Sequence, residues 1–224
     1  MDAEDCNKWD YEKHPDQACV ADRCRQILIH LRTAKIDHAQ RLTDSRTQHF
    51  ELFNGLTPTE CTYLAGHYRG EAFPCLRYYD VGVGSDNRVG TASAHVTADI
   101  DLLSQQIMAI LTAVDVAHTA PIAHISAEDR LLYVTEFAAL VLVEFLRIHP
   151  YANGNGHIGR LLVWTILGRY GFWPKAWPLD DRPPPPYVEC IVAYRNGNKE
   201  PLVQFMLRAI IGPPANSPQI AQTA

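Results

Sequence analysis

A mainly α-helical fold with one β-hairpin is what this sequence predicts, and three observations predict it. Apolar residues recur at spacings of three and four through most of the chain. Helix start and stop signals bracket several of these runs. Alternation with turn formers is confined to one stretch, residues 76–96.

Taken in order, residues 1–16 read as a loose polar arm. A helix is expected over 17–39, where Val20, Ile27, Leu28, Leu31 and Ile36 keep helical spacing. A short helix over 47–53 should stop at Asn54-Gly55. Thr57-Pro58-Thr59-Glu60 offers a cap, a proline at the first helical position and a capping-box glutamate. In LRYYDVGVGSDNRVGTASAHV, Tyr78, Tyr79, Val81 and Val83 have β character, and Gly82, Gly84, Ser85, Asp86, Asn87 and Gly90 form turns. This is the expected hairpin.

A helix should follow over 97–116. Ser126 then caps a helix running to Ile148, with Glu128 and Asp129 suiting its positive first turn. Its stretch VTEFAALVLVEFL is apolar on most faces and marks a core helix. Pro150 ends it after His149. Another apolar helix is expected over 157–170, and a connector holds four prolines at 183–186. Two helices, over 187–195 and 199–211, close the chain. The resulting organisation is an N-terminal helical extension over 1–55, a main domain over 56–211 and a flexible tail over 212–224.

Hydrophobic residues make up 47% and charged residues 20%, which argues against disorder and for a globular core. A net charge of −5 argues against a broad nucleic-acid surface. The first residues are polar and acidic and lack the basic-then-apolar order of a secretory signal. The apolar stretch 137–146 is broken by Glu144 and is too short to span a bilayer. None of the six cysteines forms a C-x-x-C pair. The expectation is a soluble cytoplasmic protein with free thiols and no membrane or nucleic-acid partner.

Chemistry concentrates between the two most apolar helices. In Asn153-Gly154-Asn155-Gly156 two glycines let the backbone approach a ligand closely. Converging amides form an anion nest, and the next helix starts directly after it, presenting free N–H groups to the same place. Arg160, one turn inside that helix, can fork onto phosphate oxygens. His149 at the mouth of the core helix can accept a proton near neutral pH. The residues therefore read as a proton acceptor beside a phosphate cradle.

The whole string, HPYANGNGHIGR over 149–160, resembles the Fic motif H-x-F-x-(D/E)-G-N-G-R-x-x-R. His149, Gly154, Asn155, Gly156 and Arg160 match, and Tyr151 stands for the phenylalanine. The resemblance covers residues 60–211 and implies a Fic-type helical bundle, with one β-hairpin flap before the active-site helix-loop-helix. It implies a protein adenylyltransferase that moves AMP from ATP to a Ser, Thr or Tyr hydroxyl. In that family reading His149 is the general base. Asn153, Gly154, Asn155, Gly156, His157 and Arg160 bind the nucleotide, and Arg160 grips its terminal phosphate. The flap residues Val81, Gly82, Val83 and Gly84 bind the target segment by main-chain pairing. An antitoxin or a second copy of the chain is a further candidate partner.

Two positions depart from the pattern. Asn153 replaces the acid expected to hold Mg2+, so a neutral amide oxygen is the candidate ligand and the metal is held more weakly. His157 replaces the first arginine and supplies positive charge only when protonated. A donor other than ATP, or a binding module that has lost catalysis, therefore stands beside adenylylation. Thr47-Gln48-His49-Phe50-Glu51 matches five positions of the family's inhibitory helix, which makes Glu51 a candidate inhibitory residue, although Leu52 breaks the sixth position.

Overall fold

The apolar run at the centre of the chain folds as the helix α5, Ala127–Ile148, and nearly all of its buried side chains are aliphatic or aromatic. Ser126 caps it, its hydroxyl accepting the Asp129 N–H at 3.0 Å. Against α5 lies α6, Asn155–Arg169, with twelve buried residues; the two form the most extensive helix pair among the described residues. The computed structural model describes residues 9–33, 36–83 and 86–212. Its other helices are α1 (Cys19–Thr33), α2 (His38–Thr43), α3 (Arg46–Phe53), α4 (Val96–Thr119), α7 (Tyr187–Arg195) and α8 (Glu200–Ile211). The mainly helical expectation holds.

α4 packs against α5 and α2 and buries Ile100, Leu103, Ile107, Leu111 and Val114. By length and mean hydropathy (1.4) the stretch Ser93–Thr119 could cross a membrane, a feature the sequence expectation overlooked. α8 lies on α5 and α7. The N-terminal helices enter the same core, which includes Val20, Cys24, Ile27 and Leu31 from α1 and Leu52 and Phe53 from α3.

Four local expectations change. The single helix expected over 17–39 ends at Thr33, and Asp37 starts a new one by accepting the Gln40 N–H at 3.1 Å. The polar arm is not loose throughout: Trp9 and Tyr11 are each 7% exposed, and Tyr11–Lys13 form a short 3-10 turn capped by Asp10. Residues 1–8 lie outside the described residues. At Thr57 no side-chain cap forms; Thr59–Leu64 is 3-10 helix, broken by an extended φ of −129° at Cys61. Cys75 is disulfide-bonded, whereas Cys19, Cys24 and Cys190 are free thiols.

The fifth change concerns the hairpin. Among the described residues there is no strand, and residues 76–92 run as turns and extended segments. The backbone groups that would have paired with each other bond elsewhere. Gly90 N–H donates to Arg147 O at 2.8 Å and Thr91 N–H to Ile148 O at 3.1 Å. Tyr79 O and Thr91 O both accept from the Arg69 guanidinium at 2.8 Å. A buried arginine, fully shielded from solvent, thus takes the carbonyls that a ladder would have used.

Candidate functional site

His149 is the residue after α5, held in the left-handed region at φ 55°, ψ 58°. Its own carbonyl accepts Arg69 Nε at 2.8 Å, and Ile148 O accepts Arg69 Nη2 at 3.1 Å. A guanidinium therefore caps the negative end of the core helix. The His149 ring turns back so that Nδ1 faces Leu146 O at 3.4 Å. A carbonyl only accepts, so Nδ1 carries the proton and Nε2 keeps its lone pair. Burial first, and Arg69 second, lower the His149 pKa to about 4. The imidazole is neutral at pH 7.

The loop after it is fixed from several sides. Tyr151, fully buried, shares a hydrogen bond with the Ser45 hydroxyl at 2.8 Å and stacks on His49 with ring centres 3.7 Å apart. His49 Nδ1 accepts the Gly66 N–H, which leaves its Nε2–H to donate to Asn153 O, both at 2.9 Å. Burial lowers the His49 pKa to about 3, so this bridging ring is neutral as well. The Asn155 amide clasps the backbone of Tyr151 from both sides, accepting its N–H at 2.9 Å and donating to its carbonyl at 2.8 Å. Gly154 sits at φ 78°, and a side chain there would run into the Phe53 ring.

α6 starts at Asn155, so the N–H groups of Asn155 and Gly156 have no carbonyl four residues back within the helix. Arg160 is 5% exposed and donates through Nε and Nη2 to Leu179 O at 3.3 and 3.0 Å. Its Nη1 points toward Gly156: a Cβ at that glycine would lie 3.1 Å from it. Burial lowers the Arg160 pKa, but its starting value is so high that the charge stays. His157 behaves differently. Its Nε2–H donates to Asp180 O at 3.2 Å, and burial together with Arg160 lowers its pKa to about 4. It is a neutral ring in the position of a cation.

These residues line one cavity of about 650 Å3. His149, Asn153, Gly154, Asn155, Gly156, His157 and Arg160 all border it. Val81, Gly82 and Val83 border it too, although not as a strand; Gly84 lies outside the described residues. Glu51 does not reach it. That side chain is exposed on α3 and does not line the cavity, while α3 turns His49 and Phe53 toward the loop instead. The inhibitory pairing of Glu51 with Arg160 is absent.

Six further lining residues, Tyr11, Glu12, Ala152, Asp180, Asp181 and Arg182, were missed by sequence reasoning. Two weak signals existed: an aromatic pair, Trp9 and Tyr11, inside a polar arm, and the charged run Asp180-Asp181-Arg182 just before the prolines. Nothing in the sequence marks His49 or Arg69.

The loop offers a metal ion no carboxylate, only the neutral amide oxygen of Asn153 with one lone pair left. Asn153 Oδ1 already accepts the Gly154 N–H at 2.6 Å, and its Nδ2 donates to Trp9 O at 3.4 Å. Among the described residues no group of three or more His, Cys, Asp or Glu side chains could hold a metal.

Residues 43–167 match the model of the Fic/DOC family. A protein named protein adenylyltransferase Fic from Nematostella vectensis is 36% identical over 84 residues, 38% of this chain and 19% of that protein. Proteins of the same name from Drosophila mojavensis and Drosophila melanogaster are 32% identical over 81 residues, 36% of this chain and 16% of each relative. The matched part spans less than a fifth of the length of these relatives.

Proposed function

Because this chain belongs to the Fic/DOC family, we propose that it is a protein adenylyltransferase, moving AMP from ATP to a Ser, Thr or Tyr hydroxyl of a target protein. One observation carries the reading. His149, whose Nδ1 faces Leu146 O, lines the same cavity as Asn155 and Gly156 at the start of α6 and Arg160, whose Nη1 points toward Gly156. A proton acceptor thus stands beside donors suited to phosphate oxygens.

In this reading His149 Nε2 takes the proton of the target hydroxyl as its oxygen attacks the α-phosphorus of ATP. The bond from that phosphorus to the β-phosphate bridging oxygen breaks, and pyrophosphate leaves with the electron pair. The loop amides neutralise charge on the transferred phosphate, and Arg160 holds the leaving end. Val81, Gly82 and Val83 at the rim would carry the target segment toward His149. The low pKa of His149 makes it a weak base, so positioning and charge neutralisation supply most of the rate.

A second reading is favoured by Asn153 and His157. The first lacks a carboxylate's charge, and the second is neutral. A different phosphate donor, or a nucleotide-binding module without turnover, also suits such a loop. Incubation with α-labelled and with γ-labelled ATP, for wild type and His149→Ala, separates the three. α-Label on protein that requires His149 supports AMP transfer. γ-Label alone replaces it with phosphorylation. Nucleotide binding with no label from any donor leaves only the binding module.

A further inference from the structure

Both motif positions at which this chain departs from its family pattern touch the N-terminal segment. Asn153 Nδ2 donates to Trp9 O at 3.4 Å, and the His157 ring meets Tyr11 edge-on with centres 5.6 Å apart. The segment is otherwise well seated. Trp9 Nε1 donates to Leu56 O at 2.8 Å within the core. The Tyr11 ring lies against Phe53 with centres 4.8 Å apart. Phe53 in turn packs edge-on against His157, at 5.8 Å, and closes over Gly154. Tyr11 and Glu12 line the cavity that holds His149 and Arg160, yet they precede the family-matched stretch 43–167.

We propose that the segment Trp9–Lys13 is a wall of the donor-nucleotide site, seated by Asn153 and His157. Asn153 is then a positioning residue for this wall, not a metal ligand, and Tyr11 shapes the donor pocket. The proposal rests on the reading that the cavity takes a nucleotide. Physical chemistry explains why both departures go with the wall. An aspartate at 153 could still accept the Gly154 N–H, but it has no donor for Trp9 O and would set two acceptors against each other. An arginine at 157 would replace a flat neutral ring, packed edge-on against Tyr11 and Phe53, by a charged chain that needs solvent or an anion.

Restoring the family residues should therefore harm the site, where a simple loss of metal affinity would predict repair. The test uses the full chain as wild type, Asn153→Asp, His157→Arg and Tyr11→Leu. Hydrogen exchange of peptides covering residues 9–13 is followed with and without ATP, and ATP and ADP affinities are measured by calorimetry with and without Mg2+. Thermal melts of each variant show that it is folded. In wild type, nucleotide should slow exchange of the segment. Asn153→Asp should speed it about fivefold without nucleotide, the ratio equivalent to losing one hydrogen bond. The same change should weaken ATP and ADP binding at least threefold even with Mg2+. Tyr11→Leu should weaken binding without unfolding the core.

Tighter Mg2+–ATP binding by Asn153→Asp, with exchange at residues 9–13 unmoved, would overturn the proposal. Nucleotide binding by wild type that leaves the segment's exchange unchanged would overturn the wall alone. Failure of wild type to bind any nucleotide would remove both the wall and the proposed function.

Discussion

His149 holds a backbone conformation that costs a non-glycine residue about 1–2 kcal/mol. Arg69 offsets that cost by binding the His149 and Ile148 carbonyls. The strain aims the ring so that Nδ1 meets Leu146 O and Nε2 stays free. His149→Ala should then cut protein labelling by roughly a thousandfold or more while changing nucleotide affinity less than threefold, since the imidazole serves the proton and not the phosphates. Loss of nucleotide binding to the same extent as labelling would assign the ring to binding instead. The pH dependence follows from the same burial. An ordinary histidine titrates near 6.5, whereas His149 and His157 titrate near 4 and His49 near 3. As pH falls below about 6.5 the unfolded chain takes up protons before the folded one. Stability is thus fully present above that pH and declines as pH falls toward 4. Chemical denaturation between pH 7 and 4 should show a falling midpoint. The acid limb of kcat/KM, over the range where the protein stays folded, should lie well below 6.5.

At the scale of elements, α3 holds the loop after His149 through His49 and Phe53. Gly154 illustrates this: its φ of 78° suits glycine, and the Phe53 ring of α3 fills the space a methyl would need. Gly154→Ala should combine a left-handed backbone cost with overpacking, lowering stability by about 2–4 kcal/mol in a denaturant titration. A loss below 0.5 kcal/mol would mean that α3 and the loop move apart freely. This contact also shows what the sequence could convey. The helices α5 to α8 were legible because apolar spacing is dense there, with Ser126 capping α5 and prolines bounding α5 and α7, and Tyr187–Arg195 lies where it was expected. His149, the glycine loop and Arg160 were legible because their chemistry is local in sequence. The hairpin was not, because strand character in residues 76–96 says nothing of Arg69, which is distant in the chain from the helix end it caps. Tyr11 and His49 were hidden for the same reason: each acts on the loop across a long sequence separation, at 5.6 Å from His157 and 2.9 Å from Asn153 O.

Across the whole molecule, Arg69 is the side chain through which the cavity rim and the core helix share one anchor. Its backbone N–H donates to Pro150 O at 2.8 Å, and its guanidinium serves carbonyls of Tyr79, Thr91, Ile148 and His149. Burial lowers its pKa to about 10, so the group is still a cation at pH 7 and donates from all three nitrogens. Arg69→Met fills much of the volume but leaves those carbonyls without donors in a buried setting. At about 1–3 kcal/mol for each group left wholly unsatisfied, with water reaching some of them, the net loss should be about 3–5 kcal/mol. For a chain of this size that lowers Tm by about 10 °C. Arg69→Lys keeps the charge but has one nitrogen to replace three, so it should recover less than half of the loss. Both variants should also lose target modification more severely than nucleotide binding, because the rim residues Val81, Gly82 and Val83 and the His149 carbonyl hang from the same guanidinium, whereas the Asn155 and Gly156 amides are held by Tyr151 and α3. Full rescue by Arg69→Lys would show that charge at the end of α5 is the essential term, and that the fork to Tyr79 and Thr91 contributes little to holding the rim.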